Sequence, residues 1–498
     1  MTFTTDNWNT PQTVTITGHD DLQADGNQNV TLTLDFVQST DTLYGIRTYT
    51  LTGVNTDNDT AGLTLSKTTL TTDEFGTTDS FTVKLNTQPT ANVVVTATSG
   101  NTNEFTVLHS SLTFTTDNWN TAQTITVKGE DDKVADGNQQ VSLTLSTNTS
   151  SDTVYAALSN STATVTNNDR GVLAWGTYQG TPLSLIGTVS TLAGTGRLGV
   201  DNGIGTSASF NRPAGITIVG DNLYVADYEN HAIRQINIDT GVVTTLAGTV
   251  GTSGNQDGTG TAALFAFPIG ITTDGTNLYV SEYSSKKIRK IVISTGVVQT
   301  LMTTSTSQGL RCLVTDGTNI YGADEYGHRI IKIVIATTTQ TTLAGEGASG
   351  HVDGTGTAAQ FLNPWCLTSD GTALYVTSSY GQTVRKVIIA TGVVTTIAGT
   401  NSLTGSTDGT GTSARFYYPL GIVTDGTNLY VADSNNHNIR KIVISSGVVT
   451  TLAGSAQSSG FTNGTGTTAQ FHLPNGIVSN GKYLFVTDES NYAIRKIQ

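Results

Sequence analysis

The chain alternates apolar and polar residues through short segments that Asp, Asn and Gly turns separate. In the N-terminal third, segments such as "QTVTITG" and "NVVVTATS" have a period of two, which places alternate side chains on opposite faces of a strand. The segments lack the 3.6-residue period of an amphipathic helix. The pattern therefore predicts an all-β protein built from short antiparallel strands.

A long repeat organises the N-terminal third. "FTTDNWNTPQTVTITGHDDLQADGNQNVTLTL" begins at Phe3 and returns 111 residues later, at Phe114, as "FTTDNWNTAQTITVKGEDDKVADGNQQVSLTL". Residues 62–111 have no counterpart before Phe3. We therefore predict a truncated module at 1–59 and a complete β-sandwich module at 60–169, both parts of a longer multi-module chain.

A second repeat begins near Val189 and has six copies. Each copy contains four β segments, which in the fifth copy read "GIVTDG", "NLYVAD", "NIRKIVIS" and "GVVTTLAG". One aromatic residue marks each copy: Tyr224, Tyr279, Tyr321, Tyr375, Tyr430 and Phe485. Repeats of this length and strand content predict a six-bladed β-propeller.

The propeller is expected to close on its own N-terminal strand. The last copy ends after its third segment, and an unmatched fourth segment, "VSTLAG" at 189–194, precedes the first copy. We expect this strand to complete the sixth blade of a propeller at 188–498. Residues 170–187 then form a linker, with Trp175 at the junction.

Two family resemblances support this organisation. Residues 1–169 resemble the bacterial Calx-β-like extracellular repeats, which have an Ig-like sandwich fold, through "DSFTVKLNTQPTANVVVT" and the closing "NTDND". Residues 189–498 resemble an NHL-repeat propeller through "ADYENHAIRQI", "ADSNNHNIRKI" and the preceding "DGTGTSARF". The third copy lacks the "DGTGT" loop and has Ile331 where an arginine is expected. The resemblance implies calcium-stabilised modules and a propeller that is a binding scaffold and only occasionally an enzyme.

Acidic turns are the candidate metal sites. The turn "HDDLQADG" holds three carboxylates within six residues, and these repel one another without a cation. Calcium prefers about six to eight oxygen ligands on flexible loops. The resemblance adds a second acidic segment at each module end. The predicted ligands are Asp20, Asp21, Asp25, Asp57 and Asp59, with Glu74 as a supplement, for the first site and Asp131, Asp132, Asp136 and Asp169 for the second. A metal-free turn role for these residues stays open.

Four copies of the propeller repeat place an acid seven residues before an arginine. The pairs are Asp227 with Arg234, Glu282 with Arg289, Asp433 with Arg440 and Asp488 with Arg495. Catalysis needs one asymmetric cluster, whereas a scaffold repeats the same bond in each blade. We therefore interpret these pairs as structural ion pairs.

The turn between the second and third segments defines a candidate binding surface. Antiparallel strands put the six turns and the inter-blade loops on one face, here called the turn face. Its candidate ligand-binding residues are Tyr228, His231, Tyr283, Tyr326, His328, Trp365, Tyr380, His437 and Tyr492. Rings with polar neighbours suit a sugar or a peptide. The loop missing from the third copy should leave a notch beside Tyr326.

The three histidines of this surface are not expected to share a metal. Ligands of one zinc ion lie within about 2 Å of it, whereas equivalent turns of alternate blades lie apart. Cys312 and Cys366 occupy equivalent innermost-strand positions, where other copies have glycine. Their Cα separation is expected near the limit of about 7 Å for a disulfide. Both a disulfide and a pair of buried thiols are open, and the thiol pair is our expectation.

Charge and hydropathy narrow the function classes. The net charge of −14 and the 24 Lys and Arg residues argue against a nucleic-acid partner. The apolar runs are shorter than the roughly 20 residues that span a bilayer. We predict a secreted or surface-displayed bacterial adhesion protein, with calcium as cofactor and a cell-surface glycan or protein as partner. The alternatives are a metal-dependent lyase or lactonase-like hydrolase and a structural component of a surface layer or filament.

Overall fold

The structure is a computed structural model of the 498-residue chain. It describes residues 1–36, 41–45, 47–74, 76–130, 138–168 and 182–498. The described chain forms two compact units, one within residues 1–168 and the other within residues 182–498. Each unit has its own hydrophobic clusters, so the two units have separate cores.

The first unit contains two sheets between residues 63 and 168. The larger sheet has, in spatial order, Thr69–Asp73, Ser161–Asn168, Gln139–Ser146, Val93–Ser99 and Ser111–Phe114. The smaller sheet has Leu63–Leu65, Thr78–Leu85, Gln123–Gly129 and Phe105–Val107. Alternate residues of both sheets, such as Val95 and Ile125, belong to one buried cluster. The period-two pattern thus produces a core between two sheets. A single helical turn, Thr153–Ala156, precedes the strand that begins at Ser161.

Residues 1–59 form a smaller structure. Gln28–Asp35 and Thr48–Asn55 pair as an antiparallel hairpin, with a short 3-10 helix at Thr42–Tyr44. Val14 and Ile16 are 42% and 62% exposed. Their repeats in the complete module, Ile125 and Val127, are fully buried.

Two packed sheets are therefore present only in the second module, as far as the described residues show. The predicted tandem of Ig-like sandwiches is not confirmed.

The second unit is built from six sheets around an axis, here called blades 1 to 6 in chain order. The innermost strands are Pro213–Val219, Pro268–Thr273, Leu313–Thr315, Pro364–Ser369, Pro419–Thr424 and Pro474–Ser479. The second strands are Asn222–Asp227, Asn277–Glu282, Asn319–Asp324, Ala373–Ser378, Asn428–Asp433 and Leu484–Asp488. The third strands are Ala232–Asn237, Lys287–Val292, Arg329–Val334, Thr383–Ile388, Asn438–Val443 and Ala493–Ile497. The fourth strands are Val242–Ala247, Val297–Thr303, Thr339–Ala344, Val393–Gly399, Val448–Ala453 and, for blade 6, Thr188–Ala193.

Five blades carry a further short strand at the outer edge, followed by one turn of 3-10 helix. These strands are Gly203–Ile204, Gly258–Thr259, Gly354–Thr355, Gly409–Thr410 and Gly464–Thr465. The helical turns are Gly205–Ser207, Gly260–Ala262, Gly356–Ala358, Gly411–Ser413 and Gly466–Thr468. Three more 3-10 turns lie on the turn face, at Tyr228–Asn230, Ser434–Asn436 and Glu489–Asn491. Blade 3 has four strands, in agreement with the loop that its sequence lacks.

The ring of blades is closed by pairing between the first and the last strand of the second unit. Thr188–Ala193 pairs antiparallel with Ala493–Ile497, with Val189 opposite Ile497. Within a blade, Leu429 and Tyr430 are both fully buried although they point to opposite faces of their strand. A sheet that neighbours cover on both sides has this pattern. The six innermost strands contact one another around the axis, so their side chains line a central cavity.

Candidate functional site

The four predicted acid–arginine pairs are present as buried ion pairs. Their nitrogen–oxygen distances are 2.8 Å for Arg234 with Asp227, 2.9 Å for Arg289 with Glu282, 3.0 Å for Arg440 with Asp433 and 2.8 Å for Arg495 with Asp488. Both partners of every pair have fully buried side chains. Burial raises the pKa of Asp227 and of Asp433 to about 6, while the paired arginine and hydrogen bonds act to lower it. The structural interpretation of these pairs is confirmed.

Each of these arginines also donates hydrogen bonds to the loop that precedes its blade. Arg440 Nη1 donates to Asp433 Oδ2 and, at 2.9 Å, to the carbonyl oxygen of Arg415, while Nη2 donates to Asp408 Oδ1 at 2.7 Å. The guanidinium carbon lies 5.3 Å from the centroid of the Phe416 ring. Asp408 belongs to the "DGTGT" loop, 32 residues before the arginine. The same separation of 32 residues recurs in the other blades that have a buried arginine, so the sequence carries a signal for this contact.

The histidines of the turn face connect neighbouring blades. In each case the ring Nδ1 accepts a hydrogen bond from a backbone amide of the next blade. The donor–acceptor pairs are Phe267 to His231 at 3.3 Å, Asn363 to His328 at 3.3 Å and Leu473 to His437 at 3.2 Å. In blade 4, Gln382 Oε1 accepts from Tyr418 in the same way, at 2.7 Å. A glutamine in this role shows that the position needs an acceptor, not a metal ligand.

Burial lowers the pKa of His231 and of His437, and the neighbouring His472 lowers that of His437 further. An Nδ1 that accepts a hydrogen bond belongs to the neutral ring, with its proton on Nε2. The geometry and the pKa shifts therefore agree on neutral histidines. Within the described residues, no group of three or more His, Cys, Asp or Glu side chains is arranged to hold a metal ion.

The aromatic candidates on the turn face differ in exposure. Tyr326 and Tyr380 are 49% and 52% exposed. Four others are half-buried: Tyr228, Tyr283, Trp365 and Tyr492. His231 is buried, and His328 and His437 are half-buried. The two most exposed rings therefore belong to blades 3 and 4.

Arg311 of blade 3 brings several of these rings together. Its guanidinium carbon lies 4.3 Å from the ring centroid of Tyr283, 4.4 Å from that of Trp365 and 5.8 Å from that of Tyr326. Its Nε donates to Glu325 Oε2 at 2.5 Å, and the Glu325 side chain is 3% exposed. Residues of blades 2, 3 and 4 thus form one cluster, here called the arginine cluster.

The rings continue into the next blade. Tyr418 lies 5.9 Å from Trp365 and 5.1 Å from Tyr380, measured between ring centroids. Burial raises the pKa of Tyr418, and Tyr380 raises it further, so its hydroxyl stays protonated. Tyr228 and His231 contact a separate ring, Phe267, at 5.2 Å and 4.4 Å. Of the predicted face residues, Tyr283, Tyr326 and Trp365 surround Arg311. Burial raises the pKa of Tyr228, which also lies close enough to Arg311 for that charge to act to lower it.

The arginine cluster lies at the mouth of the axial cavity. The cavity has a volume of about 90 Å³, and its lining includes Arg311, Trp365 and the two cysteines. Cys312 and Cys366 form a disulfide with a Cα separation of 4.8 Å. The expectation of a free thiol pair was wrong, because the neighbouring innermost strands approach more closely than the sequence argument assumed.

Sequence reasoning did not identify Arg311. The residue stands where the other blades have Ala214, Ile269, Trp365, Leu420 and Asn475. Arg311 is the one charged residue among these six equivalent positions, and this was the available sequence signal for a binding site. The signal becomes informative only once the fold shows that this position lies at the mouth of the axial cavity.

The first acidic turn brings together most of its predicted ligands. Asp57 accepts from the backbone amides of Gly26 at 2.7 Å and Asp59 at 2.8 Å. Removal from water raises the pKa of Asp59, and the charges of Asp20, Asp57 and Asp21 raise it further. Three of the predicted carboxylates are therefore close enough to act on Asp59. Asp25 is exposed and is not among the carboxylates that raise this pKa.

Glu74 belongs to the other end of the second module. It follows Thr69–Asp73, which runs parallel to Ser161–Asn168, and its backbone amide donates to the Asn168 carbonyl at 3.1 Å. The structure thus places Glu74 beside the last strand of its own module, and its role as a supplement to the first site stays a prediction. Glu104, 3% exposed, accepts from Asn167 there and was not predicted.

Several predicted residues lie outside the described part of the chain. They are Asp131, Asp132, Asp136, Asp169 and Trp175. The second calcium site therefore stays a prediction.

Comparison with known proteins identifies the repeat of the propeller. The sequence profile of the NHL repeat matches residues 210–236 and 416–442. Each match starts at the phenylalanine that contacts a buried arginine and extends through the third strand of its blade. The second unit therefore contains NHL repeats, as the sequence predicted.

Curated relatives are similar in sequence to about three-fifths of this chain. NHL repeat-containing protein 2 of Homo sapiens is 27% identical over 319 residues, which are 60% of this chain and 40% of that protein. Protein SUPPRESSOR OF QUENCHING 1, chloroplastic, of Arabidopsis thaliana is 29% identical over 327 residues, which are 61% of this chain and 27% of that protein. The chain thus spans less than half the length of these relatives.

A solved structure shares the fold over a larger part of the chain. A structural genomics protein of unknown function from Bacteroides thetaiotaomicron superposes with a TM-score of 0.54 at 16% identity. The match covers 88% of this chain and 98% of that chain. At this identity the likeness concerns the fold alone. In the described residues, no helix has both the length and the apolar character needed to cross a membrane.

Proposed function

We propose that this chain is a non-enzymatic recognition protein whose propeller binds a glycan on its turn face. The observation that carries the proposal is the arginine cluster, in which Tyr283, Tyr326 and Trp365 surround Arg311 at the mouth of the axial cavity. Rings supply apolar surface on which a sugar can stack, and a guanidinium supplies oriented hydrogen-bond donors.

The shape of blade 3 supports the same location. Its four-stranded sheet lacks the outer strand that the other five blades carry, and the exposed Tyr326 belongs to its turn. The repeated acid–arginine pairs and histidine bridges are already engaged within the ring. The arginine cluster is asymmetric, as a site for one ligand should be.

The first unit is proposed to be an extracellular stalk. Its repeat resembles Calx-β-like modules. The described side chains do not form a finished metal site, but the charges of Asp20, Asp21 and Asp57 act on Asp59, and a bound calcium ion would offset this repulsion. We accordingly propose a secreted or surface-displayed protein in which calcium stiffens the modules and the propeller contacts a cell-surface ligand.

A glycan array probed with the full chain tests the propeller function. We expect binding to a defined glycan class that Tyr326→Ala and Trp365→Ala each weaken by about 2- to 13-fold, since a ring contact is worth about 0.5–1.5 kcal/mol. The matched control is Tyr483→Ala, because Tyr483 lies between the first and second strands of blade 6, at the opposite end of the blade. Binding to proteins alone, or equal losses in all three variants, would contradict the proposal.

Calcium titration of the chelated full chain tests the stalk function. Wild-type protein should bind calcium with a Kd of about 10⁻⁴–10⁻³ M, the range of extracellular modules. The double variant Asp57→Asn/Asp59→Asn removes two negative charges from the cluster and should lose that site. Asp6→Asn, a change in an exposed turn, serves as the control. A calorimetric titration without heat in the wild type would show that the acidic turns are only turns.

A further inference from the structure

The guanidinium of Arg311 is only partly used by the protein. Its Nε donates to Glu325, and within the described residues neither Nη1 nor Nη2 donates to a protein acceptor. The side chain is nevertheless 11% exposed, so it is held inside the cluster and does not extend into solvent. A fixed arginine with two unused donor groups is a prepared site for an acceptor.

Arg212, another arginine of this face, donates from all three of its guanidinium nitrogens. Its Nε and Nη2 donate to Glu489 Oε1 at 2.8 Å and 2.5 Å, and its Nη1 donates to Glu229 Oε1 at 3.4 Å. Like Arg311, it lies beside a tyrosine, with its guanidinium carbon 5.6 Å from the Tyr228 ring centroid. The two arginines therefore differ in which nitrogens remain available.

The surroundings hold the unused donors in place. Tyr283 and Trp365 contact the guanidinium, and Glu325, which binds Nε, accepts a second hydrogen bond from Asn363 Nδ2 at 3.4 Å. The Cys312–Cys366 disulfide joins the residues that follow Arg311 and Trp365 in the sequence. The side chain and both neighbouring strands are thus fixed before a ligand arrives, which reduces the entropy lost on binding.

We infer that Arg311 binds the carboxylate of an acidic sugar, a uronate unit of the glycan assigned to this face. The inference rests on the proposed function and specifies its ligand class. The carboxylate accepts one hydrogen bond from Nη1 and one from Nη2, the paired geometry that arginine offers to planar anions. The sugar ring then lies against the exposed Tyr326 and the half-buried Trp365.

Charge favours a carboxylate over a phosphate at this position. Glu325 already places one negative charge 2.5 Å from Arg311, and the chain carries a net charge of −14. A monoanionic carboxylate is repelled less by these charges than a phosphate monoester, which carries about −1.5 to −2 at pH 7. The cavity of about 90 Å³ has room for several water molecules, so it can admit a carboxylate while the sugar ring stays at the mouth.

The test compares an acidic oligosaccharide with its neutral counterpart on the full chain. The probes are a glucuronate-containing oligosaccharide and the same compound with its carboxyl group reduced to a primary alcohol, measured by isothermal titration calorimetry. We expect the acidic probe to bind wild-type protein at least 10-fold more tightly. Arg311→Lys, which keeps the charge but loses the paired donors, should weaken the acidic probe much more than the neutral probe and so remove most of that preference.

Arg212→Lys is the matched control, because the same substitution at an engaged arginine should change the preference by less than 2-fold. Thermal unfolding of both variants verifies that they are folded. Equal affinity for the acidic and neutral probes, or an unaltered preference in Arg311→Lys, would overturn the carboxylate assignment alone. Binding of neither probe, together with an empty glycan array, would instead overturn the proposed function. Tight binding of a peptide carboxylate in place of the sugar would also refute the inference.

Discussion

Five of the six blades each contain one fully buried arginine that binds their strands and loops together. The fully buried guanidinium groups belong to Arg234, Arg289, Arg385, Arg440 and Arg495. A charge without water needs a partner, and four of them have a carboxylate on the neighbouring strand. Blade 4 differs, because Ser378 occupies the acid position and its buried Oγ has no hydrogen-bond partner among the described residues. Arg385 still pairs with the half-exposed Asp353 at 2.6 Å, and burial lowers the pKa of Arg385 while Asp353 acts to raise it.

Removing one carboxylate should therefore be costly. We expect Asp433→Ala to lower the free energy of unfolding by about 3–5 kcal/mol, because Arg440 would stay buried and lose its buried ion-pair partner, keeping the half-exposed Asp408. Tyr417 would also lose the acceptor of its backbone amide, which now donates to Asp433 at 2.7 Å. The change in free energy is measured by urea unfolding of the full chain, monitored through a spectroscopic signal that comes from the propeller.

The reverse substitution is the matched control. Ser378→Asp supplies Arg385 with the carboxylate that other blades provide, so it should leave stability unchanged or raise it. The two substitutions act at equivalent second-strand positions, which removes general effects of altering that strand. If Ser378→Asp lowered stability as much as Asp433→Ala, the packing at this position, and not the ion pair with the arginine, would determine its contribution to stability.

The turn between the second and third strands of a blade makes a hydrogen bond to the next blade. His231 and His437 have φ angles of 55° and 56°, and the residues that donate to them, Phe267 and Leu473, have φ angles of 57° and 55°. Non-glycine residues adopt this left-handed region infrequently. Its recurrence on both sides of one hydrogen bond indicates that the inter-blade contact stabilises both turns.

The histidine bridges predict a dependence of stability on pH. The folded state lowers the pKa of His231 and His437 below the ordinary 6.5, so it favours the neutral ring. Their contribution is complete above the unfolded pKa and is lost as pH falls through about 6.5 toward the folded pKa. We expect the double variant His231→Gln/His437→Gln to lose less stability than wild type between pH 7.5 and 5.5, because glutamine accepts in blade 4 without titrating.

Midpoints of thermal unfolding at the two pH values measure this difference. His109→Gln is the control, since His109 is exposed in the first unit and should leave the pH dependence unchanged. If the double variant and wild type lost stability in parallel, the histidine bridges would not account for any acid sensitivity of the propeller.

The features that could be predicted from the sequence are those that depend on residues close together in the chain or on aligned repeats. Period-two strands, the closing strand and the acid–arginine pairs depend on repeats that can be aligned along the chain. The histidine bridge could not be found this way, because its donor is a backbone amide 36 residues after His231 and carries no side-chain signal. Arg311 was missed for a related reason: its neighbours Tyr283 and Trp365 meet only through the ring of blades.

At the scale of the whole molecule, the chain has two sets of cores with no shared member. Every buried residue of the sandwich cluster lies between Leu70 and Val165, and those of the propeller clusters lie between Leu183 and Ile497. The propeller clusters each join two successive blades, as in the cluster that contains both Tyr224 and Leu278. Cooperativity is therefore expected around the ring, and not between the two units.

Two unfolding transitions should follow from these separate cores. Leu143 and Leu429 are both fully buried, one in each unit, and replacing either with alanine should cost about 2–5 kcal/mol. In differential scanning calorimetry of the full chain, Leu143→Ala should lower one transition by several degrees and Leu429→Ala should lower the other. Because the sites share no partners, the double variant should show both shifts unchanged. A single transition that moves in both variants would mean that the two units unfold together, and the first unit would then contribute to the stability of the second.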